Sequence, residues 1–191
     1  MLASADDLTA MPDASVDVVT TRSVLIYVKD KAQAMREFYR VLKPAGRASL
    51  FEPINVLMSL ADPDRFLGYD VAPVRPLAAR VTALYESIQP PGADPMVDFD
   101  DRDLVRHAQE AGFSRIDLEL QVSVETRKEP VPWELFMRTS GNPLVPTLAE
   151  AMSQVLSPRE ITEITTHLRP LVECGTGLER RALAYLTAIK N

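Results

Sequence analysis

Few residues of this chain have the types and spacing that catalytic or metal chemistry requires. Cys174 is the single cysteine, and the two histidines, His107 and His167, are far apart in the sequence. A zinc site needs a cluster of such residues and a nucleophilic thiol needs a neighbouring base, so the sequence predicts neither. His107 lies on a predicted helix whose apolar face is elsewhere, and we expect an exposed, inert side chain. No catalytic acid or base can be named.

A few aromatic residues could instead line an apolar pocket for a substrate. They are found in two long segments, residues 55–97 and 130–175, and are Tyr69, Tyr85, Trp133 and Phe136. Each taken singly is more typical of core packing, so both interpretations stay open. Long insertions in compact domains tend to be functional or mobile. We therefore predict one incomplete domain over residues 1–191, with residues 55–97 as a cap and residues 130–175 as a helical lid.

Composition places the chain among ordinary globular proteins. Its 191 residues are 46% hydrophobic and 25% charged, with a net charge of -6 and a pI near 5.0. Because Lys and Arg are not concentrated anywhere, we expect a small-molecule or protein partner and no nucleic acid. The sequence has no basic, apolar leader and no apolar run of ~18 residues, so we expect a cytoplasmic protein that does not contact membranes.

Local patterns predict the elements that position these residues. The β-branched run from Val16 to Thr20 predicts a buried strand, and residues 47–51 predict a second one. Between them, Asp30 is the expected N-cap of a helix whose apolar residues recur at helical spacing as far as Leu42. The sequence KPAG at residues 43–46 should end this helix, with the glycine allowing the reversal. This order of elements is typical of a parallel βαβ unit.

Further patterns follow in the second half of the chain. Apolar spacing predicts helices over residues 77–88, 100–111 and 147–156, and Ser157 opens another through a capping box with Glu160. Strict alternation over residues 116–125 predicts a half-exposed strand. Residues 182–189 predict a closing strand, although their composition would also suit a helix.

Three motifs carry a resemblance to a known family. They are PDASVDVV at residues 12–19, SVLIYVKDK at residues 23–31 and REFYRVLKPAG at residues 36–46. With Glu52 and Pro53, they make residues 4–54 resemble the second half of a class I S-adenosylmethionine-dependent methyltransferase. The group in question includes the ubiquinone and menaquinone biosynthesis enzymes. The resemblance implies an α/β, partial Rossmann-like methyltransferase fold, with strands four to seven of a seven-stranded sheet and two helical insertions.

The resemblance also implies which residues face a cofactor. They are Ser4, Ala5, Asp6, Thr21, Arg22, Ser23 and Tyr27. The first three align with adenine contacts, with a solvated tail as the alternative, and the next three with the carboxyl end of the fourth strand, where α/β sheets bind ligands. Tyr27 replaces one of a common pair of histidines and is expected as a pocket wall. Glu52 is expected to orient the acceptor, with a turn acid as the alternative.

Two family features are absent from the expected places in this sequence. The resemblance implies a glycine-rich loop and a ribose-binding acid, and both would align upstream of Met1. We therefore expect the chain to bind S-adenosylmethionine weakly or not at all. The sequence from Gly175 to Gly177 resembles the missing loop, but Gly175 is more simply the C-cap of the preceding helix.

Two hypotheses on function stay open. The first is S-adenosylmethionine-dependent methyl transfer to a small-molecule acceptor, with this chain as the acceptor-binding part of a truncated methyltransferase. The second is a non-catalytic, methyltransferase-like remnant that acts as a binding or assembly module. Because the fourth strand of the family pairs with a strand that is missing here, we also expect self-association through the exposed edge from Val16 to Thr20.

Overall fold

The computed structural model describes residues 2–58, 62–90, 94–127 and 129–191. The chain divides into two compact units. The first contains Met1–Ser59, Asp94–Val122 and Arg181–Asn191, and the second contains Leu60–Ala93 and Ser123–Arg180. The second unit therefore includes most of the two segments predicted as cap and lid, whose roles stay predictions.

A mixed α/β fold is built on a four-stranded sheet with the order β1-β2-β6-β5. Its strands are β1 (Val16–Arg22), β2 (Leu42–Pro53), β5 (Arg115–Thr126) and β6 (Leu178–Ile189). β1 runs parallel to β2, whereas β2 and β6 are antiparallel. The predicted βαβ unit is confirmed, because helix α1 (Lys31–Val41) connects β1 to β2.

β1 is an edge strand, and the prediction that it is buried was wrong. Within the described part of the chain, β2 is its single neighbour in the sheet. Val18 is 44% exposed as a result. The β-branched run indicates a strand, but the burial of that strand depends on what lies on its other side.

Helix α1 begins and packs as its sequence predicts. The Asp30 carboxylate accepts a hydrogen bond from the backbone N–H of Gln33 at 2.8 Å, which caps the first turn. Its buried residues include Ala34, Met35 and Phe38. The helix ends at Val41, and β2 begins at once, earlier than the predicted strand at residues 47–51.

The reversal predicted at Gly46 was also misplaced. Ala45 is the residue with a left-handed backbone, at a φ of 63°. Gly46 has a different role, because a Cβ there would lie 2.8 Å from the Lys43 carbonyl oxygen and 3.1 Å from that of Asp17. A glycine is needed here for the close approach of β2 to β1.

Helix α4 (Asp101–Ala111) packs against α1 and completes the core of the first unit described here. Its capping box joins Asp100 to Asp103, and Gly112 is the C-cap, as the sequence predicts. Two further helical segments belong to this unit, the single turn Leu25–Tyr27 and the short α2 (Asn55–Met58).

The second unit is mostly helical. Its elements are β3 (Arg65–Phe66), β4 (Tyr69–Asp70), a turn at Ala72–Val74, α3 (Arg75–Ile88), α5 (Trp133–Met137), α6 (Leu148–Val155) and α7 (Pro158–Glu173). Capping boxes at Thr147 and Ser157 begin α6 and α7, which confirms those predicted helix starts. In the described residues, no helix has the length and apolar composition needed to cross a membrane.

Candidate functional site

The carboxyl ends of β1 and β2 lie side by side. In the parallel register Thr21 is opposite Leu50 and Arg22 is opposite Phe51. The Thr21 hydroxyl donates a hydrogen bond to Oε1 of Glu52 at 3.0 Å. Because ligands of open α/β sheets bind beyond the carboxyl ends of parallel strands, this edge is the candidate site.

Glu52 is the central group of this edge. Its side chain is fully buried. Besides the Thr21 hydroxyl, the backbone N–H of Val24 donates to Oε1 and that of Leu25 to Oε2, each at 3.1 Å. Burial raises the pKa of the Glu52 carboxyl above its ordinary value, and these hydrogen bonds oppose the rise. The expected contact between Glu52 and an acceptor does not fit this burial.

The segment after β1 is fixed to the unit at several points. Ser23 has a left-handed backbone, with a φ of 53°, and its N–H donates to the Phe51 carbonyl oxygen at 2.8 Å. Leu25 and Ile26 are buried in the core, whereas the neighbouring Tyr27 is 67% exposed. The buried side chains of Leu25 and Ile26 fix the turn, and the Tyr27 side chain extends from it into solvent.

Arg22 lies beside the same edge and is held by an aromatic ring. Its guanidinium carbon is 5.5 Å from the centroid of the Phe51 ring, within the range of a cation–π contact. The Phe51 ring packs edge-on against Tyr185 of β6. Thr21 therefore contacts Glu52 on one face of the sheet, whereas the Arg22 side chain lies over Phe51 on the opposite face.

The N-terminal residues Ser4, Ala5 and Asp6 lie on a different segment. The Ser4 hydroxyl donates a hydrogen bond to Asp6, and Ala5 packs against the core of the first unit. The next residues are bound to α1, because the Leu8 N–H donates to Glu37 Oε2 at 2.8 Å. This attachment argues against a freely solvated tail.

Asp6 also lines an open cleft of about 610 Å³ within the first unit. Lys31 is buried at this cleft. Its ammonium group is 2.5 Å from Asp98 Oδ1, donates to the Val28 carbonyl oxygen at 2.9 Å, and lies 4.9 Å from the centroid of the Phe99 ring. The cleft is lined by Asp6, Lys29, Asp30, Lys31, Ala32, Asp98, Phe99, Asp103, Arg106 and His107.

His107 was expected to be exposed, and the structure corrects this. Its side chain is only 14% exposed, and burial, helped by the charge of Arg106, lowers the pKa of the imidazole below its ordinary value. The place of His107 in this cleft could not follow from the helix pattern alone, because it depends on the packing of α4 against α1, which is remote in sequence.

Three of the four aromatic residues predicted for the acceptor pocket lie in the core of the second unit. Tyr69 is fully buried, Phe136 is 3% exposed and Trp133 is 8% exposed. The Phe136 ring lies 5.5 Å from that of Tyr69 and 5.6 Å from that of Trp133, between centroids. These three residues therefore contribute to core packing, which was the other interpretation of each of them from the sequence.

Tyr85, the fourth of these residues, is partly exposed. Burial and the nearby charge of Glu150 raise the pKa of its hydroxyl. It is the one member of the predicted acceptor set that is only partly buried, and it packs against the core of the second unit. Whether it contacts an acceptor stays a prediction.

The glycine-rich sequence near the C-terminus ends a helix. Cys174 is the C-cap of α7, and Gly175 follows it with a φ of 66°. The N–H of Thr176 donates to the Leu171 carbonyl oxygen at 3.1 Å, which closes the helix end. Gly175 and Gly177 therefore have a structural explanation that requires no ligand.

Metal chemistry has no visible support in the described ranges. No group of three or more His, Cys, Asp or Glu side chains is placed there so as to hold a metal ion.

Comparison with known protein families finds a match in the first part of the chain. Residues 1–50 match a family described as a methyltransferase domain. This confirms the resemblance that the motifs of residues 4–54 carry. No sequence among the curated proteins matches the chain.

Several solved structures align with the chain, each at a TM-score below 0.5. The YcgJ protein of Bacillus subtilis is 14% identical with a TM-score of 0.47, and the alignment covers 98% of this chain and 68% of that one. Phosphoethanolamine N-methyltransferase 2 of Haemonchus contortus, in complex with S-adenosylhomocysteine, is 14% identical with a TM-score of 0.44, over 94% of this chain and 35% of that one. The arsenic(III) S-adenosylmethionine methyltransferase of Chlamydomonas reinhardtii is 16% identical with a TM-score of 0.44, over 99% and 42%.

Proposed function

Because residues 1–50 carry a segment of the methyltransferase-domain family, we propose that the chain takes part in S-adenosylmethionine-dependent methyl transfer to a small-molecule acceptor. In this proposal it is the acceptor-binding part of a methyltransferase. The observation that carries the proposal is the family match over residues 1–50, which includes Thr21 at the carboxyl end of β1.

The proposed cofactor-facing residues are those of the two segments described above. Thr21, Arg22, Ser23 and Tyr27 follow the carboxyl end of β1, and Ser4, Ala5 and Asp6 would approach the adenine. These groups fit only part of the cofactor, since Gly175 and Gly177 have packing roles and no other glycine-rich loop follows a strand of this sheet in the described residues. We therefore propose weak or absent binding of the cofactor by the chain alone.

The chemistry places modest demands on the protein. Bound S-adenosylmethionine supplies a methyl group on a sulfonium, which is already an activated leaving group. Alignment of acceptor and donor can then provide much of the rate acceleration, an effect of up to roughly 7 to 11 kcal/mol. A site without a catalytic acid or base is compatible with this reaction class.

A second candidate function is favoured by the free edge of β1. Backbone groups on that edge have no strand beside them in the described part of the sheet, and Val18 is 44% exposed. Edges of this kind pair with other chains. A non-catalytic assembly module that self-associates through Val16 to Thr20 is therefore the alternative proposal.

The two candidates differ in the expected role of Arg22. Equilibrium dialysis with labelled S-adenosylmethionine would compare the 191-residue chain with the variants Arg22→Ala and Arg115→Ala. Arg115 is a matched control, because it is an exposed arginine that pairs with Asp117 on β5. We expect a dissociation constant weaker than ~10 µM that Arg22→Ala weakens further by about threefold or more, with no effect of Arg115→Ala. Equal behaviour of the two variants would argue against a cofactor edge at Arg22.

A further inference from the structure

We propose that Glu52 is a positioning residue. Its carboxylate restrains the segment Ser23–Tyr27 through hydrogen bonds and does not itself contact a ligand. The inference deepens the proposed function, on which the ligand-facing role of this segment rests. The positioning role itself depends only on contacts within the first unit.

The first observation is the match between donors and acceptors. Both oxygens of Glu52 accept hydrogen bonds, with the Thr21 hydroxyl and the N–H groups of Val24 and Leu25 donating at 3.0 to 3.1 Å. A carboxylate accepts on both oxygens, whereas a glutamine amide would present N–H protons to one of these donors. The site therefore fits the ionised acid and not its amide.

The second observation is the place of these donors. Val24 and Leu25 begin the single helical turn Leu25–Tyr27, and the side chain of Val24, its N-cap, makes no capping hydrogen bond. The first N–H groups of a helical turn have no partner within that turn. Glu52 supplies the missing acceptor from the neighbouring strand, as a local Asp or Ser would at an ordinary N-cap.

The third observation is the cost of this arrangement. Glu52 is fully buried, and in the described part of the chain no cation lies within ion-pair distance of it. Arg22 is a cation on the neighbouring strand β1, but its guanidinium group lies over the Phe51 ring and does not pair with Glu52. Burial of an unpaired carboxylate is unfavourable unless hydrogen bonds compensate it. Its raised pKa is the sign of that cost.

The consequence concerns the exposed residues of the segment. Ser23 has a left-handed backbone, which a non-glycine residue keeps only when its surroundings hold it there. The Glu52 bonds to Val24 and Leu25 restrain the chain directly after Ser23. Glu52 thereby fixes the directions in which Ser23 and Tyr27 leave the sheet.

Amide hydrogen exchange of the 191-residue chain, followed by NMR, tests this role. In Glu52→Gln we expect the Val24 and Leu25 amides to exchange at least about tenfold faster, while the amides of α4 are unchanged. Thr21→Val removes the hydroxyl that donates to Glu52 Oε1, and it should accelerate the exchange of the same amides by a smaller factor. Asp17→Asn is the matched control, because Asp17 is an exposed acid on the neighbouring strand β1 that pairs with Lys43. Equal exchange in Glu52→Gln and Asp17→Asn would overturn the proposal.

A pH titration separates positioning from a generic packing role. The Leu25 amide shift should titrate with a midpoint above 4.5, the ordinary value for this carboxyl, and Glu52→Gln should abolish the titration. A Leu25 shift that does not titrate in the wild-type chain would also overturn the proposal.

Binding of S-adenosylhomocysteine provides a separate test, whose outcome does not depend on the exchange and titration data. A wild-type dissociation constant at or below ~10 µM would contradict the binding that we propose for the chain alone, and the exchange and titration data would still decide the role of Glu52. Where the wild-type chain binds, Glu52→Gln should weaken the affinity about fivefold or more, and Asp17→Asn should not.

Discussion

Substitution of Gly177 by alanine should destabilise the second unit. A Cβ at this position would lie 2.7 Å from Tyr69 Cε1 and 2.9 Å from Cζ, closer than carbon atoms approach in proteins. The Tyr69 ring cannot easily yield, because it is fully buried and packs edge-on against Phe136. The Gly177 backbone is also held, since its carbonyl oxygen accepts from the Arg127 N–H at 2.7 Å. Overpacking of this kind costs about 1 to 3 kcal/mol.

Urea unfolding measures this cost directly. Trp133 is the single tryptophan and belongs to the same core as Tyr69, so its fluorescence reports on the second unit. Gly141→Ala is the matched control, because a Cβ there would meet Val145 at an ordinary 3.8 Å. We expect Gly177→Ala to lower the free energy of unfolding by about 1 to 3 kcal/mol and Gly141→Ala to change it by less than about 0.5 kcal/mol.

A second variant identifies the cause. Tyr69→Leu in the Gly177→Ala background removes the ring atoms that collide with the new methyl group, so the two substitutions should couple favourably in a double-mutant cycle. If Gly177→Ala is as stable as the wild-type chain, the glycine is not a packing residue. The interpretation of Gly175–Gly177 as a ligand-binding loop would then return.

Three further predictions concern other parts of the chain. Val18→Lys should shift any dimers or aggregates toward monomers in light scattering, because a charge on the free edge of β1 opposes strand pairing; unchanged self-association would exclude this edge. Trp133→Ala should lower the free energy of unfolding by about 3 to 5 kcal/mol, as expected for a buried ring, and a loss below about 1 kcal/mol in urea unfolding would contradict core packing. The lowered pKa of His107 gives stability that is present above its ordinary value of 6.5 and lost as the pH falls through the folded value. Urea unfolding at several pH values should show this loss in the wild-type chain but not in His107→Gln, and equal pH dependence would refute it.

Local elements could be predicted because their signals are local. Asp30 and Ser157 are caps whose partners lie three residues further on, at Gln33 and Glu160, so the sequence contains the whole motif. The same holds for Gly112 at the end of α4. In each case the free energy comes from groups within one or two turns, and no tertiary contact has to be known.

Burial could not be predicted in the same way, because it depends on partners far along the chain. Glu52 becomes a buried cap only when β2 is in register with β1, some 27 residues away from the Leu25 amide it binds. Val18 is exposed because β1 lies at an edge, which its own sequence does not reveal. Tyr69 is buried by Phe136, which belongs to a segment remote in sequence.

The positions of the predicted site residues in the fold were therefore predictable to different degrees. The resemblance placed Thr21, Arg22 and Ser23 correctly at a strand end, because motif position fixes a residue along a strand. The side-chain environment of Glu52 could not follow from the motif. Aromatic residues such as Trp133 serve a core and a pocket equally well, so composition alone does not separate the two roles.

The most direct measurement of the central claim is an NMR titration of the 191-residue chain with S-adenosylhomocysteine. The account predicts a dissociation constant weaker than ~10 µM, with shift changes concentrated at Ser4–Asp6 and Thr21–Tyr27. A dissociation constant at or below ~10 µM, or shift changes centred on Gly175–Gly177, would each contradict it.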